Sequence, residues 1–247
     1  MPILCGMPMN LCCFPCKSHS AAVSFGVGLT SANTVGYNGS ALDEEYGAVL
    51  TGPQFVTPGG SAFLLTNIVL VSEANTAYSV DIQTLNGFGG TGDEDYMWNG
   101  AGWEDANGNP VTDATLPPGK GFWVYNFTGE AVTFRSLGEI NANDVTYPLD
   151  TEYGAVAIVN PYPTDIALAD ITFITAQPAS ALAYSIDIQT LNSFGGTGDE
   201  DYMWNGTGWE DANGNPATNV TFAPGKGLWV YNFTGEAVGF HIPAPEL

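Results

Sequence analysis

The chain reads as all-β: two tandem antiparallel β-sandwich or partly open barrel domains, led by an N-terminal extension strand. Three observations predict this. Residues 77–134 recur at 183–240 almost letter for letter, apolar residues alternate with period two in short runs, and those runs are bounded by Gly, Pro and Asn. No window carries the sustained 3.6-residue apolar stripe of a helix.

The first element, 1–21, is a Cys-rich head or remnant leader. It holds all four cysteines, Cys5, Cys12, Cys13 and Cys16, so the repeats need no disulfide. Its apolar stretch and small residues near Ser20 and Ala22 suit a leader, but it lacks a basic n-region. No His or Cys pair follows at zinc-finger spacing, which leaves disulfides as the reading for the thiols.

The second element, 22–45, is a donor-type strand with its connector. Val23, Phe25, Val27 and Leu29 alternate onto one face of VSFGVGLT. Ala22, Val23 and Phe25 match Ala131, Val132 and Phe134, and again Ala237, Val238 and Phe240, which end the two blocks. Ala32 to Tyr37 further match Ala142 to Tyr147, so the chain opens with the tail and connector of a repeat. The second block shows no such connector after it.

The remaining elements are β-domain 1 at 46–134, a connector strand at 135–152 and β-domain 2 at 153–247. Each domain is expected to hold six or seven strands. AYSVDIQTL, KGFWVYNF and EAVTF alternate as half-buried strands. Asn99-Gly100 and Asn205-Gly206 fit two-residue hairpin turns with positive φ at both central positions. In FWVYN, one ring of Trp123 and Tyr125 is expected to fill the core and the other to cover the outer face. Only ten positions differ between the blocks, whereas the portions upstream of them are looser. That uneven divergence suggests different neighbours.

Composition excludes several classes. With 26 acidic against 4 basic residues the formal net charge is −22, which repels phosphate backbones and excludes nucleic acid as a partner. Charged residues are only 12% and hydrophobic ones 45%, so the chain folds rather than staying disordered. The longest apolar candidate, 62–71, is interrupted by Thr66 and Asn67, so no membrane span is expected.

Four chemistries are candidates. Asp105, Asn107 and Asn109, with Asp211, Asn213 and Asn215, place oxygen ligands at alternate positions as calcium loops do, with Asp93, Glu94 and Asp95 nearby. The Gly and bidentate acid that an EF-type loop needs are replaced by Pro110 and Leu116, or Pro216 and Phe222, so a turn is the competing reading and no cofactor is required. Trp98, Trp103, Trp204 and Trp209 are candidates to stack on sugar rings, in two equal sites per chain. Asn38, Asn126, Asn205, Asn219 and Asn232 are candidate glycosylation acceptors. His19 and His241 lie outside the repeat body and no nucleophile–base set is assignable, so the chain is read as no enzyme.

The phrase PGKGFWVYNFTGEAVTF resembles the tandem β-repeats of bacterial extracellular filament and surface-fibre proteins. The resemblance implies an extracellular or cell-surface structural role and supplies no catalytic residues. By logic rather than motif, the chain is also similar to fimbrial subunits joined by strand donation. The expected function is therefore a filament subunit that polymerises head-to-tail with copies of itself, through Val23, Phe25, Val27 and Leu29 inserted into a neighbour. The alternative is a secreted, lectin-like carbohydrate-binding module with glycans as partners.

Overall fold

The computed structural model describes residues 35–42, 48–57, 62–73, 75–84, 94–149, 155–190 and 200–245. The architecture is all-β, a set of antiparallel sheets of which none closes. The first repeat runs β1 (Val35–Leu42), β2 (Ala48–Thr51), β3 (Phe55–Val56), β4 (Phe63–Leu64), β5 (Ile68–Val71), β6 (Val80–Thr84), β7 (Asp95–Trp98), β8 (Trp103–Asp105), β9 (Thr115–Leu116), β10 (Phe122–Asn126) and β11 (Val132–Ile140). The second runs β12 (Val145–Leu149), β13 (Ala155–Val159), β14 (Ile166–Ala167), β15 (Thr172–Ile174), β16 (Ile186–Thr190), β17 (Asp201–Trp204), β18 (Trp209–Asp211), β19 (Thr221–Phe222), β20 (Gly227–Asn232) and β21 (Val238–Ile242). These exceed the six or seven strands expected per domain because β3, β4, β9, β14 and β19 have two residues each, too few to leave an alternation. Among the described residues no helix is long and apolar enough to cross a membrane.

Each repeat sets a five-stranded sheet against a smaller one. The larger sheets have the order β2-β10-β6-β7-β8 and β13-β20-β16-β17-β18. In the smaller sheets, β11 lies between β1 and the pair β3 and β5, and β21 lies between β12 and β15. Period-two alternation fixes which side chains meet between the layers. Val80, Ile82, Tyr96, Phe122 and Val124 of the larger sheet join Phe55, Ile68, Val132 and Phe134 of the smaller one in the first core. Ile186, Ile188, Tyr202, Leu228 and Val230 meet Val238, Phe240 and Ile242 in the second.

The connectors are placed differently from the sequence expectation. β1 pairs with β11 along its whole length, from Val35 opposite Glu139 to Leu42 opposite Val132. β12 pairs with β21 in the same way, ending with Leu149 opposite Val238. β1 and β12 are thus equivalent first strands of their repeats, and β11 crosses the expected 134/135 boundary without a break. The edge of β21 that a missing connector would have left open is occupied by β12 of the same chain. Val23, Phe25, Val27 and Leu29 lie outside the described residues, as does the head.

Two further expectations are corrected by geometry. Trp123 and Tyr125 are two residues apart, so both point to the outer face, while Phe122 and Val124 face the core. The hairpin after Trp98 closes with the Asn99 amide donating to Gly102 O, at 2.9 Å, so its central residues are Gly100 and Ala101. Only Gly100 has positive φ, +100°, as it has at Gly206; this suits the type II′ turn, with Gly first, rather than an Asn-Gly type I′ turn.

The two repeats clasp through their larger sheets. Leu50, Trp123 and Ala157 are buried together, with Tyr125 and Trp229 against them. The Gly121 amide donates to Ala157 O at 3.0 Å and the Val159 amide to Gly119 O at 2.9 Å, so the lead-in to β10 runs beside β13. Glycine makes this approach feasible: a Cβ on Gly121 would lie 3.0 Å from the Ala157 backbone, and one on its counterpart Gly227 would lie 2.7 Å from Leu50. Leu50 and Ala157 hold equivalent positions, opposite Trp123 and Trp229, so matched surfaces face one another.

Candidate functional site

The outer face of each larger sheet gathers the only concentrated chemistry among the described residues. On the first repeat Asp81 lies between Met97 of β7 and Tyr125 of β10, Gln83 pairs with Asp95, and Glu104 of β8 pairs with Met97. Tyr78 enters this face from the turn before β6, and a small cleft is lined by Tyr78, Asp81, Asp95, Met97, Glu104 and Asp105. The second repeat presents the same set at Tyr184, Asp187, Gln189, Asp201, Met203, Glu210 and Tyr231.

Two features set this face apart. Tyr78 and Tyr184 are the only described non-glycine residues with positive φ, at 56° and 58°, and both are about three-fifths exposed. Their amides donate to Trp98 O and Trp204 O at 2.6 Å, and this pairing with the next strand holds them in the left-handed region. The second feature is a crowded carboxylate. Asp81 is buried and accepts a hydrogen bond from Gln83 Nε2 at 3.1 Å through Oδ2. Desolvation first, and the Asp95 charge second, push its pKa from the ordinary 3.8 to about 6. Asp187 is pushed to about 6 by burial and then by Asp201. The sequence carried these acids in plain view within AYSVDIQTL and AYSIDIQTL. It gave no sign of the pairing, because Asp81 and Asp95 meet only across two strands.

The residues singled out from the sequence are placed as follows. Asp105 Oδ1 accepts the amides of Asn107 and Asn109, each at 2.8 Å, and Asn109 Nδ2 approaches both carboxylate oxygens at 3.2 and 3.0 Å. Asp211, Asn213 and Asn215 repeat the arrangement. N–H groups rather than oxygens therefore face the carboxylate, the geometry of a self-closed turn. Hydrogen bonds from Asn109 hold Asp105 below the usual carboxylate range, as those from Asn215 hold Asp211. Glu94 accepts a hydrogen bond from Tyr96, and Asp93 lies outside the described residues. Among the described residues, no group of three or more His, Cys, Asp or Glu side chains is placed to hold a metal ion.

The tryptophans proposed to stack on sugars are core packing instead. Trp103 and Trp209 are buried, and each meets its hairpin partner, Trp98 or Trp204, edge-to-face at 5.3 and 5.5 Å. Facing inward across the Trp98–Trp103 pair, they present no open ring pair to solvent. Trp204 Nε1 further donates to Ala179 O.

Two glycan acceptors are also occupied by the fold. Asn126 and Asn232 are fully buried, with Nδ2 donating to Glu130 O and Glu236 O at 2.8 Å and Oδ1 receiving the amide and hydroxyl of Thr128 and Thr234. Here Asn-Phe-Thr-Gly is a turn motif, with Gly129 and Gly235 at φ +74° and +73°. Asn205 Nδ2 donates to Glu210, while Asn219 is exposed and Asn38 lies on β1 opposite Ser136. No family model, no curated protein and no solved structure matches the chain, so its chemistry rests on these residues alone.

Proposed function

We propose that the chain is a structural, non-enzymatic subunit of an extracellular filament or surface fibre, built from two tandem sandwich-like β-domains. Copies join head-to-tail through the N-terminal segment that carries Val23, Phe25, Val27 and Leu29. The observation that supports this most is the placement of β11 and β21. Both are central strands with neighbours on either side, and the segment beginning at Ala22 repeats their opening residues. A stretch of that type is built to be paired. The reading requires no cofactor.

The experiment is deletion of residues 1–34, followed by electron microscopy and light scattering. Loss of fibres with a folded, soluble chain remaining is expected, and fibres that persist unchanged would reject the reading. A second reading, a secreted glycan-binding module, is favoured by the duplicated outer face of Tyr78, Asp81, Asp95 and Glu104, where an exposed ring adjoins hydrogen-bonding carboxylates. Glycan binding by a monomer, lost on Tyr78→Ala with Tyr184→Ala, would support it over the filament.

A further inference from the structure

The filament reading leaves open where the N-terminal segment docks, and the free sheet edges differ in what they offer. Among the described residues five strands of the smaller sheets pair on one side only: β1, β3, β5, β12 and β15; β3 has just two residues, both buried. β12 carries Pro148, which has no amide to donate and blunts an edge. β15 has three residues, the shortest of these edges after β3. β1 contains Gly36 and Gly39 and directly continues the segment in question.

β5 is different. Its sequence IVLV stands within 67–72, which holds no charged residue. Ile68 faces the core and Leu70 packs against it, while Val69 and Val71 are 52% and 41% exposed. They lie on the outward face opposite Arg135 and Thr133, and Leu137, two residues further along β11, is 56% exposed on that same face. An apolar edge strand is a template for another strand unless something covers it. On β15, the edge strand of the second repeat that corresponds to β5, Ile174 is the one exposed large apolar side chain, at 58%, beside Thr172 and Gly239. The upstream portions, which diverged most, thus differ in how sticky an edge they present.

Charge points to the occupant. All 26 acidic residues lie at or after Asp43, so residues 1–42 carry none and include Lys17. An acid-free, alternating segment approaches this strongly acidic body without like-charge repulsion. We propose that residues 23–29 of one copy add as a strand to the β5 edge of a second copy, with alternate side chains packing beside Val69 and Val71. This rests on the filament reading and names its acceptor. The contact joins unlike surfaces, so it propagates as an open chain.

Complementary full-length variants test it. Val69→Glu with Val71→Glu blocks the acceptor; because both side chains point outward, circular dichroism and the melting profile should stay those of the parent. Val23, Phe25, Val27 and Leu29, each replaced by Asn, block the donor. Each variant alone should be monomeric by light scattering, with the sedimenting fraction reduced about tenfold or more, and the two mixed should form a one-to-one heterodimer. The control pair Thr172→Glu with Ile174→Glu should assemble like the parent. If the acceptor variant still polymerises while the donor variant does not, the β5 edge is overturned and the filament reading stands. If the parent chain is itself monomeric, both fall.

Discussion

Blocks 77–134 and 183–240 fold alike down to individual hydrogen bonds, whereas the strands ahead of them do not. Tyr78 and Tyr184 share a positive φ and the same 2.6 Å amide bond, and the Asn126 and Asn232 turns superpose bond for bond. Upstream, Phe55 is answered by Tyr162, whose hydroxyl reaches Asn143 O at 2.9 Å and Ile242 O at 3.1 Å. Pro53 is answered by Asn160, which donates to Thr164 O and Phe222 O. β11 has nine residues and pairs with both β3 and β5, while β21 has five and ends where Tyr162 closes the core. The near-identical blocks build a common frame. The divergent portions carry the differences: Tyr162 and Asn160 lock the second repeat, where the first presents the apolar edge of β5.

The largest effect expected on this comparison comes from emptying one core at a time. Phe122→Ala removes a ring 1% exposed in the first repeat and should cost about 3–5 kcal/mol; Leu228→Ala at the equivalent site should cost about 2–5. Urea unfolding followed by tryptophan fluorescence reads both. A single shifted transition for each would mean that the clasp couples the repeats, and a lone early transition would mean that they unfold separately.

The clasp itself is broken by Gly227→Val, whose branches would collide with Leu50 and should cost about 1–3 kcal/mol. Gly208→Ala, with nothing within 4 Å, should change stability by no more than a few tenths. Equal losses at the two sites would deny the clasp any role.

Next come the matched turns. Asn126→Ala and Asn232→Ala each strand buried partners and should cost about 1–3 kcal/mol, by equal amounts within error in thermal melts. A marked inequality would show that the common frame is less alike in energy than in geometry.

The smallest effect is the pH dependence of the crowded acids. Asp81 and Asp187 hold a proton more tightly folded, at about 6, than unfolded, near 3.8. The folded chain therefore binds more protons between these values, and stability falls as pH rises through about 4 to 6, then levels off. Asp81→Asn should raise stability by about 1 kcal/mol at pH 7, after allowing for partial solvent screening, and by nothing near pH 4. A gain that is the same at both pH values would place the effect elsewhere.

Much of the frame was legible because it is written locally. The alternation in VDIQT and FWVYN marks β6 and β10, and Gly100 and Gly129 mark turns that need positive φ. The match of Ala32 to Tyr37 with Ala142 to Tyr147, a spacing of 110, points to the wrong connector. The structural register equates Leu42 with Leu149, and LDEEYGAV at 42–49 with LDTEYGAV at 149–156, a spacing of 107. That single-substitution match was present in the chain and reveals β1 and β12 as equivalents. The candidate site was less legible: the tryptophans look like ligand-binding rings until Trp98 and Trp103 are seen to face the core.

By itself, then, the sequence determined that the chain is β, that its frame is built twice and where its turns fall, since alternation, glycine and asparagine act over a few residues. Only the tertiary structure decided that β1 lies on β11, that Asp81 meets Asp95, and that Leu50 and Ala157 close one repeat on the other. Those contacts join residues far apart along the chain, and their partners are chosen by how whole sheets bury apolar faces and satisfy their edges, a competition no short stretch of sequence can record.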